Sequence, residues 1–140
     1  MPQLSCEEGV VSLPGRPLLE RAVPAGFPSP AADYYEGRLS LDEHLIEHRE
    51  ATFFIRVAGH SMTGFGIHDG DLLVVDRSLD PADRSVVIAV IDGEFTVKQL
   101  CRLQEGMLLR SGAPGHGDIL VGQDQEFVVW GVVCWSIHKV

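Results

Sequence analysis

Hydrophobic positions from residue 51 onward fall into short runs rather than a helical repeat. The runs are rich in Val, Ile and Phe and end at Gly, Asp or Pro, a composition typical of strands. In chain order they are TFFIRV, DLLVVD, SVVIAVI, EFTVKQL and FVVWGVVCWSI. Asp92-Gly93 lies between the third and fourth runs and predicts a tight hairpin, because both central positions of such a turn favour positive φ. We therefore expect a mainly β domain, built as a folded β-sheet or partial barrel.

The last of these runs predicts its own place in the sheet. Residues 127–133 are apolar at every position, whereas a strand with one solvated face alternates apolar and polar side chains. This strand is expected to be central in the sheet or to be covered by a second subunit.

The first part of the chain has a different pattern. Proline and glycine recur through residues 14–30 and alternate with short apolar pairs, which predicts an extended arm rather than a folded unit. The expected organisation is an N-terminal arm over residues 1–38 and a β-rich domain over residues 39–140.

A short helix is predicted where the arm meets the domain. Ser40 and Glu43 have the spacing of a capping box, and two apolar residues follow them. This pattern favours a helix over about residues 41–48.

Composition and charge narrow the function. The chain is 45% hydrophobic and 22% charged, as in ordinary globular proteins. Its net charge of −9 argues against direct binding to nucleic acid, which depends on clustered Lys and Arg. It has no apolar stretch of membrane-spanning length and no basic, apolar leader, so a cytoplasmic protein without a membrane partner is expected. Cys6, Cys101 and Cys134 predict three reduced thiols, with Cys134 in the core.

Lysine usage makes one position a candidate for chemistry. Of eleven basic residues, only Lys98 and Lys139 are lysine. A lysine acts as a base only in its neutral form, which burial among apolar groups favours. Lys98 lies between Phe95, Val97 and Leu100 in a predicted strand, which is such a setting, and arginine could not replace it because it does not deprotonate.

Ser61 is the matching candidate nucleophile. It follows the predicted strand TFFIRV in the stretch AGHSM. Gly59 permits a sharp turn whose amides could receive the oxyanion of a tetrahedral intermediate. An ordinary turn serine is the alternative reading. His44 and His48 are one helical turn apart, but a solvated helix face explains them better than a metal site, and neither metal nor cofactor is expected.

These motifs together resemble a known family. GHSM, GIHDGDLLVVD and IDGEFTVKQL, within residues 52–100, resemble the catalytic domain of LexA-type repressors and UmuD-type mutagenesis proteins. AGFPSPAADY, residues 25–34, resembles the self-cleavage site of UmuD-type proteins, and the likeness covers about residues 22–140.

The resemblance implies a Ser-Lys autopeptidase. Ser61 would attack the carbonyl carbon of Ala25 while Lys98 takes the hydroxyl proton, and the Ala25–Gly26 bond would break. The main-chain amides of His60 and Ser61 would bind the oxyanion. Cleavage would be stimulated by a RecA filament on single-stranded DNA. The product would form a homodimer and serve a Y-family, UmuC-type, error-prone translesion polymerase in the SOS response.

Three alternatives remain at this point. A LexA-like or phage-repressor-like regulator would lack its DNA-binding domain, since only 25 residues precede the expected cleavage point. A non-catalytic module for dimerisation and polymerase docking would keep the fold without the reaction. A signal-peptidase-like enzyme would need a membrane anchor.

Overall fold

The computed structural model describes residues 15–28, 30–31, 35–113, 117–122 and 125–140. Within these residues the elements, in chain order, are β1 (Arg16–Leu19), β2 (Tyr35–Leu39), α1 (Leu41–Leu45), β3 (Thr52–Arg56), β4 (Leu72–Asp76), β5 (Val86–Ile91), β6 (Glu94–Leu103), β7 (Gly106–Arg110), β8 (Ile119–Val121) and β9 (Phe127–Ile137). The predicted mainly β class is therefore confirmed. Cys6 and His116 lie outside the described residues.

The chain divides into two units between His44 and Leu45. In the first unit, β1 and β2 pair antiparallel, with Arg16 opposite Leu39. The sequence pattern predicted an extended arm and missed this pairing, because proline is unfavourable within strands except at edges and Pro17 lies inside β1. Both strands of a two-stranded sheet are edges, so the proline is tolerated there.

The predicted helix is present but shorter than expected. It ends at Leu45 rather than near residue 48, and a 3-10 turn at Arg49–Ala51 follows. The backbone of His48 is extended, with φ −121° and ψ 92°, and its Nδ1 lies 2.6 Å from Asp76 Oδ2. This side-chain contact holds His48 outside helical geometry, so the helix cannot continue through it.

The second unit is built on a seven-stranded antiparallel sheet in the order β3-β4-β9-β5-β6-β7-β8. The sheet is open, with β3 and β8 at its edges. β9 lies between β4 and β5 and pairs with both. Of the two expectations for residues 127–133, a central strand or one covered by a second subunit, the structure shows the central position.

Two hydrophobic clusters fill this unit, and β5 contributes to both. Ile88 packs in one cluster, while Val87 and Ala89 pack in the other. Successive side chains of a strand point to opposite faces, so both faces of β5 are buried. This explains its uninterrupted apolar sequence.

Asp92 and Gly93 form the predicted hairpin between β5 and β6. Their φ angles are 49° and 84°, and Ile91 pairs with Glu94 on either side of them. The tight turn fixes the register of β6, and with it the direction in which each of its side chains points.

Two bulges interrupt the pairing of β9. Opposite β4, Val74 pairs with Trp135 and Val75 with Val133, so Cys134 is an extra residue in the ladder. Cys134 is exposed, and the expectation that it is a core residue is wrong, because the bulge removes it from the alternation. Trp130 is the extra residue opposite β5.

Candidate active site

Ser61 lies in a turn that directly follows β3. Gly59 has φ 101°, in the region that favours glycine, and its amide donates to Asp69 Oδ1 at 2.7 Å. Met62, the next residue after Ser61, is 2% exposed and belongs to a core cluster. The turn is therefore anchored on both sides of the serine, which is itself partly exposed. The sharp turn expected at Gly59 is confirmed.

A close backbone contact fixes the far side of this turn. The Gly112 amide donates to the Ser61 carbonyl at 2.6 Å, and the Gly64 amide donates to the Gly112 carbonyl at 2.6 Å. A Cβ on Gly64 would lie 2.1 Å from the Gly112 carbonyl oxygen, and a Cβ on Gly112 would lie 2.7 Å from Phe65 Cδ2. Only glycine at both positions permits this approach.

Lys98 is buried in β6, as its apolar neighbours predicted. It is 8% exposed and lies opposite Val87 of β5, which is fully buried. Its Nζ donates a hydrogen bond to Ser111 Oγ at 2.9 Å. A buried ammonium or amine requires such a partner, because leaving it unpaired costs several kcal/mol in desolvation (on the order of 2–7).

Ser61 and Lys98 each form a hydrogen bond to one of two consecutive residues, Ser111 and Gly112. Ser61 is bonded to Gly112, and Lys98 is bonded to Ser111, its neighbour in the chain. Within the described part of the chain, Ser61 Oγ and Lys98 Nζ share no hydrogen bond. The structure thus brings both predicted residues to one segment and leaves a gap between the hydroxyl and the amine.

The main-chain amides of His60 and Ser61 are candidates for oxyanion binding. Their carbonyl oxygens are used: the His60 oxygen accepts from the Thr63 amide at 3.3 Å, and the Ser61 oxygen accepts from Gly112. Among the described residues, neither amide donates a hydrogen bond. Two adjacent unused N–H groups in a turn can bind a developing negative charge.

An apolar groove of about 570 Å³ opens beside Ser61. Its apolar lining includes Val57, Met62, Ile88, Val97 and Trp130. Lys98 is on the other face of β6 from Val97 and lines a neighbouring pocket of about 360 Å³ instead. The groove could hold the side chains of an extended peptide whose backbone passes Ser61.

The bulge in β9 shapes one wall of this groove. Trp130 is the bulged residue, and the Arg77 guanidinium lies 4.2 Å from its ring centroid. Arg77 also donates to the Trp130 carbonyl oxygen at 2.9 Å. Bulges redirect side chains next to functional sites, and here the bulge and the arginine hold the indole in place.

The side chains of two histidines form hydrogen bonds to aspartates rather than to Ser61 or Lys98. His48 Nδ1 bonds Asp76, and this hydrogen bond raises the pKa of His48. His138 Nδ1 lies 2.8 Å from Asp71 Oδ1. In the described residues, no group of three or more potential ligands is placed to hold a metal ion.

The cleavage-site candidates lie in the first unit. Ala25 and Gly26 are exposed in the connection between β1 and β2. A Cβ added to Gly26 would meet nothing within 4 Å. Among the described residues of this unit, nothing crowds the side-chain position of Gly26.

Ser111 and Gly112 are functional candidates that sequence reasoning missed. They lie in the chain directly after β7, and their importance depends on the pairing of β6 with β7, where Gln99 is opposite Arg110. A usable signal was present: the two-residue turn at Gln104 and Glu105 sets a register that puts residue 111 opposite residue 98.

Comparison with known proteins gives consistent matches. The sequence matches the family described as Peptidase S24-like over residues 17–134. It is 45% identical over 123 residues to protein SamA of Salmonella typhimurium, which covers 88% of this chain and 85% of SamA. It is 43% identical over 125 residues to protein ImpA of Escherichia coli, covering 89% of this chain and 84% of ImpA.

A relative with lower identity matches a similar share of this chain. LexA repressor 1 of Xanthomonas campestris pv. campestris is 37% identical over 123 residues, which is 88% of this chain and 60% of the repressor. The resemblance drawn from the sequence motifs is confirmed by these matches. Within the described residues, no helix has the length and apolar character needed to cross a membrane.

Proposed function

The chain belongs to the peptidase S24-like family of self-cleaving serine peptidases and is a UmuD-type member, and we propose that it cuts its own arm between Ala25 and Gly26. Ser61 is the nucleophile and Lys98 the general base. The observation that carries the proposal is the meeting of both residues on Ser111–Gly112, with Lys98 buried and Ser61 beside an apolar groove.

The reaction balances without a cofactor. Lys98 Nζ takes the Ser61 hydroxyl proton as Oγ forms a bond to the Ala25 carbonyl carbon. The amides of His60 and Ser61 stabilise the oxyanion. When the intermediate collapses, the Gly26 nitrogen leaves with the proton from Lys98, and water then hydrolyses the Ala25 ester.

The first step requires Ser61 Oγ and Lys98 Nζ to come within hydrogen-bond distance of each other. Ser61 Oγ and Lys98 Nζ are not hydrogen-bonded in the structure, and catalytic hydrogen bonds are often long or poorly aligned without substrate. We infer that filling the groove with the arm aligns the hydroxyl with the amine. A RecA filament on single-stranded DNA would stimulate cleavage by favouring that arrangement.

The processed chain, residues 26–140, carries the lasting role. We propose that it acts as a homodimer in the cytoplasm and serves as an accessory subunit of a Y-family, UmuC-type translesion polymerase in the SOS response. Its support is the similarity to SamA and ImpA over most of each chain. Sedimentation of the processed chain and its retention on an immobilised UmuC-type polymerase test these two parts.

The cleavage assay uses purified full-length protein with and without RecA filaments, at neutral and mildly alkaline pH. Alkaline pH raises the neutral fraction of any lysine, so cleavage should accelerate. Mass spectrometry should find fragments 1–25 and 26–140. Ser61→Ala and Lys98→Ala should abolish them, whereas Lys139→Ala, at the exposed lysine, should cleave like the parent.

A non-catalytic docking module is the alternative, and the missing Ser61–Lys98 hydrogen bond favours it. It would leave the chain intact under every RecA condition. Cleavage by both Ser61→Ala and Lys98→Ala at the parental rate would refute the dyad itself.

A further inference from the structure

Lys98 and Ser111 are cross-strand neighbours. In the ladder between β6 and β7, Gln99 is opposite Arg110, and continuing this register one step places Ser111 opposite Lys98. Side chains directly opposite on one face are about 4.5–5.5 Å apart at Cβ. Both residues are buried, at 8% and 9% exposure, so the hydroxyl and the amine meet where little of either side chain is exposed.

The hydrogen bonds of Ser111 have a defined polarity. Its hydroxyl donates to the Gly117 carbonyl oxygen at 3.3 Å and accepts from Lys98 Nζ at 2.9 Å. Its backbone amide donates to Asp118 Oδ1 at 3.2 Å. A serine hydroxyl has one hydrogen, and Gly117 receives it, so toward Lys98 the oxygen acts only as an acceptor.

We propose that Ser111 is a positioning residue for Lys98, an inference that rests on the proposed self-cleavage. A neutral lysine amine has two N–H bonds and one lone pair, and the lone pair must point at Ser61 Oγ to take its proton. Ser111 holds one N–H and so limits rotation about the Cε–Nζ bond. Because the Ser111 hydroxyl donates its hydrogen to the Gly117 carbonyl oxygen, it does not donate a hydrogen bond to the lone pair of the Lys98 amine.

The Ser111 hydroxyl, which accepts from Lys98, is uncharged, and an uncharged acceptor is compatible with Lys98 acting as a neutral base. A carboxylate at this position would favour the ammonium and oppose its deprotonation, whereas a hydroxyl orients the amine with a weaker preference for charge. Three acidic groups lie around this site: Asp92 and Glu94 line the pocket of Lys98, and Asp118 accepts from the Ser111 amide. None of the three has a hydrogen bond to Nζ in the described structure.

The first test compares self-cleavage of Ser111→Ala and Ser111→Thr with the parent from pH 7 to pH 10. Ala removes the hydroxyl contacts but keeps the amide bond to Asp118, and Thr keeps a hydroxyl. Ser111→Ala should lower the plateau rate by roughly 10- to 100-fold, because misplacement of a reacting group has an effect of that order. Its rate should reach half-plateau at lower pH, because the ammonium has lost an acceptor. Ser111→Thr should stay within about threefold of the parent.

A second test needs no cleavage. Lys98 and Lys139 are the only lysines of the sequence, so protein labelled with ¹³C,¹⁵N-lysine gives two amine signals by NMR, and Lys139→Arg assigns them. In a Ser61→Ala background the chain stays whole. The Lys98 amine protons should exchange slowly with water in this background, faster after Ser111→Ala, and slowly again after Ser111→Thr.

The outcomes separate this inference from the proposed function. If the parent does not cleave but the lysine signals respond to Ser111→Ala, the positioning contact stands and the self-cleavage proposal fails. If the parent cleaves and Ser111→Ala matches its rate and pH profile, the positioning role is overturned. Faster cleavage by Ser111→Ala also overturns it, since Ser111 would then be restraining the amine.

Discussion

The close approach of Gly64 and Gly112 predicts that one added methyl group will displace the turn that contains Ser61. In Gly112→Ala the new Cβ would lie 2.7 Å from Phe65 Cδ2, 3.0 Å from Phe65 Cε2 and 3.1 Å from the Gly64 nitrogen. Favourable carbon–carbon contacts are about 3.5–4.0 Å. The turn and Gly112 must therefore separate by up to about 1 Å, or the phenyl ring must move.

Two responses are open to the protein, and they have similar costs. If the turn stays, the overpacked methyl group costs about 1–3 kcal/mol. If the turn moves, both 2.6 Å backbone hydrogen bonds between residues 61–64 and Gly112 are lost, at about 0.5–1.5 kcal/mol each. Either way, the free energy of unfolding should fall by about 1–3 kcal/mol.

Urea unfolding measures this change, with Gly122→Ala as the matched control. A Cβ on Gly122 would meet nothing within 4 Å, so this variant should stay within about 0.5 kcal/mol of the parent. Gly112→Ala should also slow self-cleavage by about 100-fold where the turn moves, because a 1 Å misplacement of reacting groups has that order of effect.

A double variant identifies the obstructing group. Phe65→Leu removes the ring atoms nearest the new methyl group, so part of the stability lost in Gly112→Ala should return when the two changes are combined. Equal urea midpoints for Gly112→Ala and Gly122→Ala would refute the argument that close backbone contact holds the turn.

Two further predictions concern pH. The hydrogen bond to Asp76 raises the pKa of His48, so its stabilisation is complete below the unfolded histidine pKa of 6.5 and is lost as pH rises through the higher folded value. His48→Gln should flatten the pH dependence of the urea midpoint in that range, and an unchanged slope would contradict the assignment. The His68 amide, then His138 and Ser136, hold the pKa of Asp71 at about 2, below its ordinary 3.8. Asp71→Asn should lower the midpoint at neutral pH and reduce the loss of stability as pH falls from 3.8 to 2. Because the pKa of Asp76 is also lowered, part of this loss remains, and an undiminished loss would contradict the assignment to Asp71.

The long apolar runs predicted most of the sheet correctly. They identified β3, β4, β5, β6 and β9, and Asp92-Gly93 identified one hairpin. These predictions succeeded because strand patterns and tight turns depend on residues that are adjacent in the sequence. β7 and β8 were missed because their apolar runs, MLL and ILV, are only three residues long. Strands with so short a run acquire their conformation from their neighbours in the sheet, and the pattern of a single strand does not contain that information.

In the candidate site too, features that depend on sequence neighbours were predicted, and features that depend on contacts distant in sequence were not. The turn at Gly59 and the burial of Lys98 follow from neighbouring residues, and both predictions are confirmed. The contacts of Ser111 and Gly112 depend on strand register and on backbones meeting across about fifty residues of chain. Cys134 was wrongly assigned to the core because a bulge shifts the alternation of β9, and no residue type within the strand marks it.

The central position of β9 also has a consequence for synthesis. β9 comes after every other described strand in the chain, yet it alone joins the β3–β4 pair to β5 and the strands beyond it. Until the ribosome has released residues 127–137, β4 and β5 each present an unpaired edge, and such edges are prone to wrong pairing. The seven strands can therefore assemble into one sheet only after β9 has been translated. Before that point, the nascent chain would most need a chaperone to cover the unpaired edges.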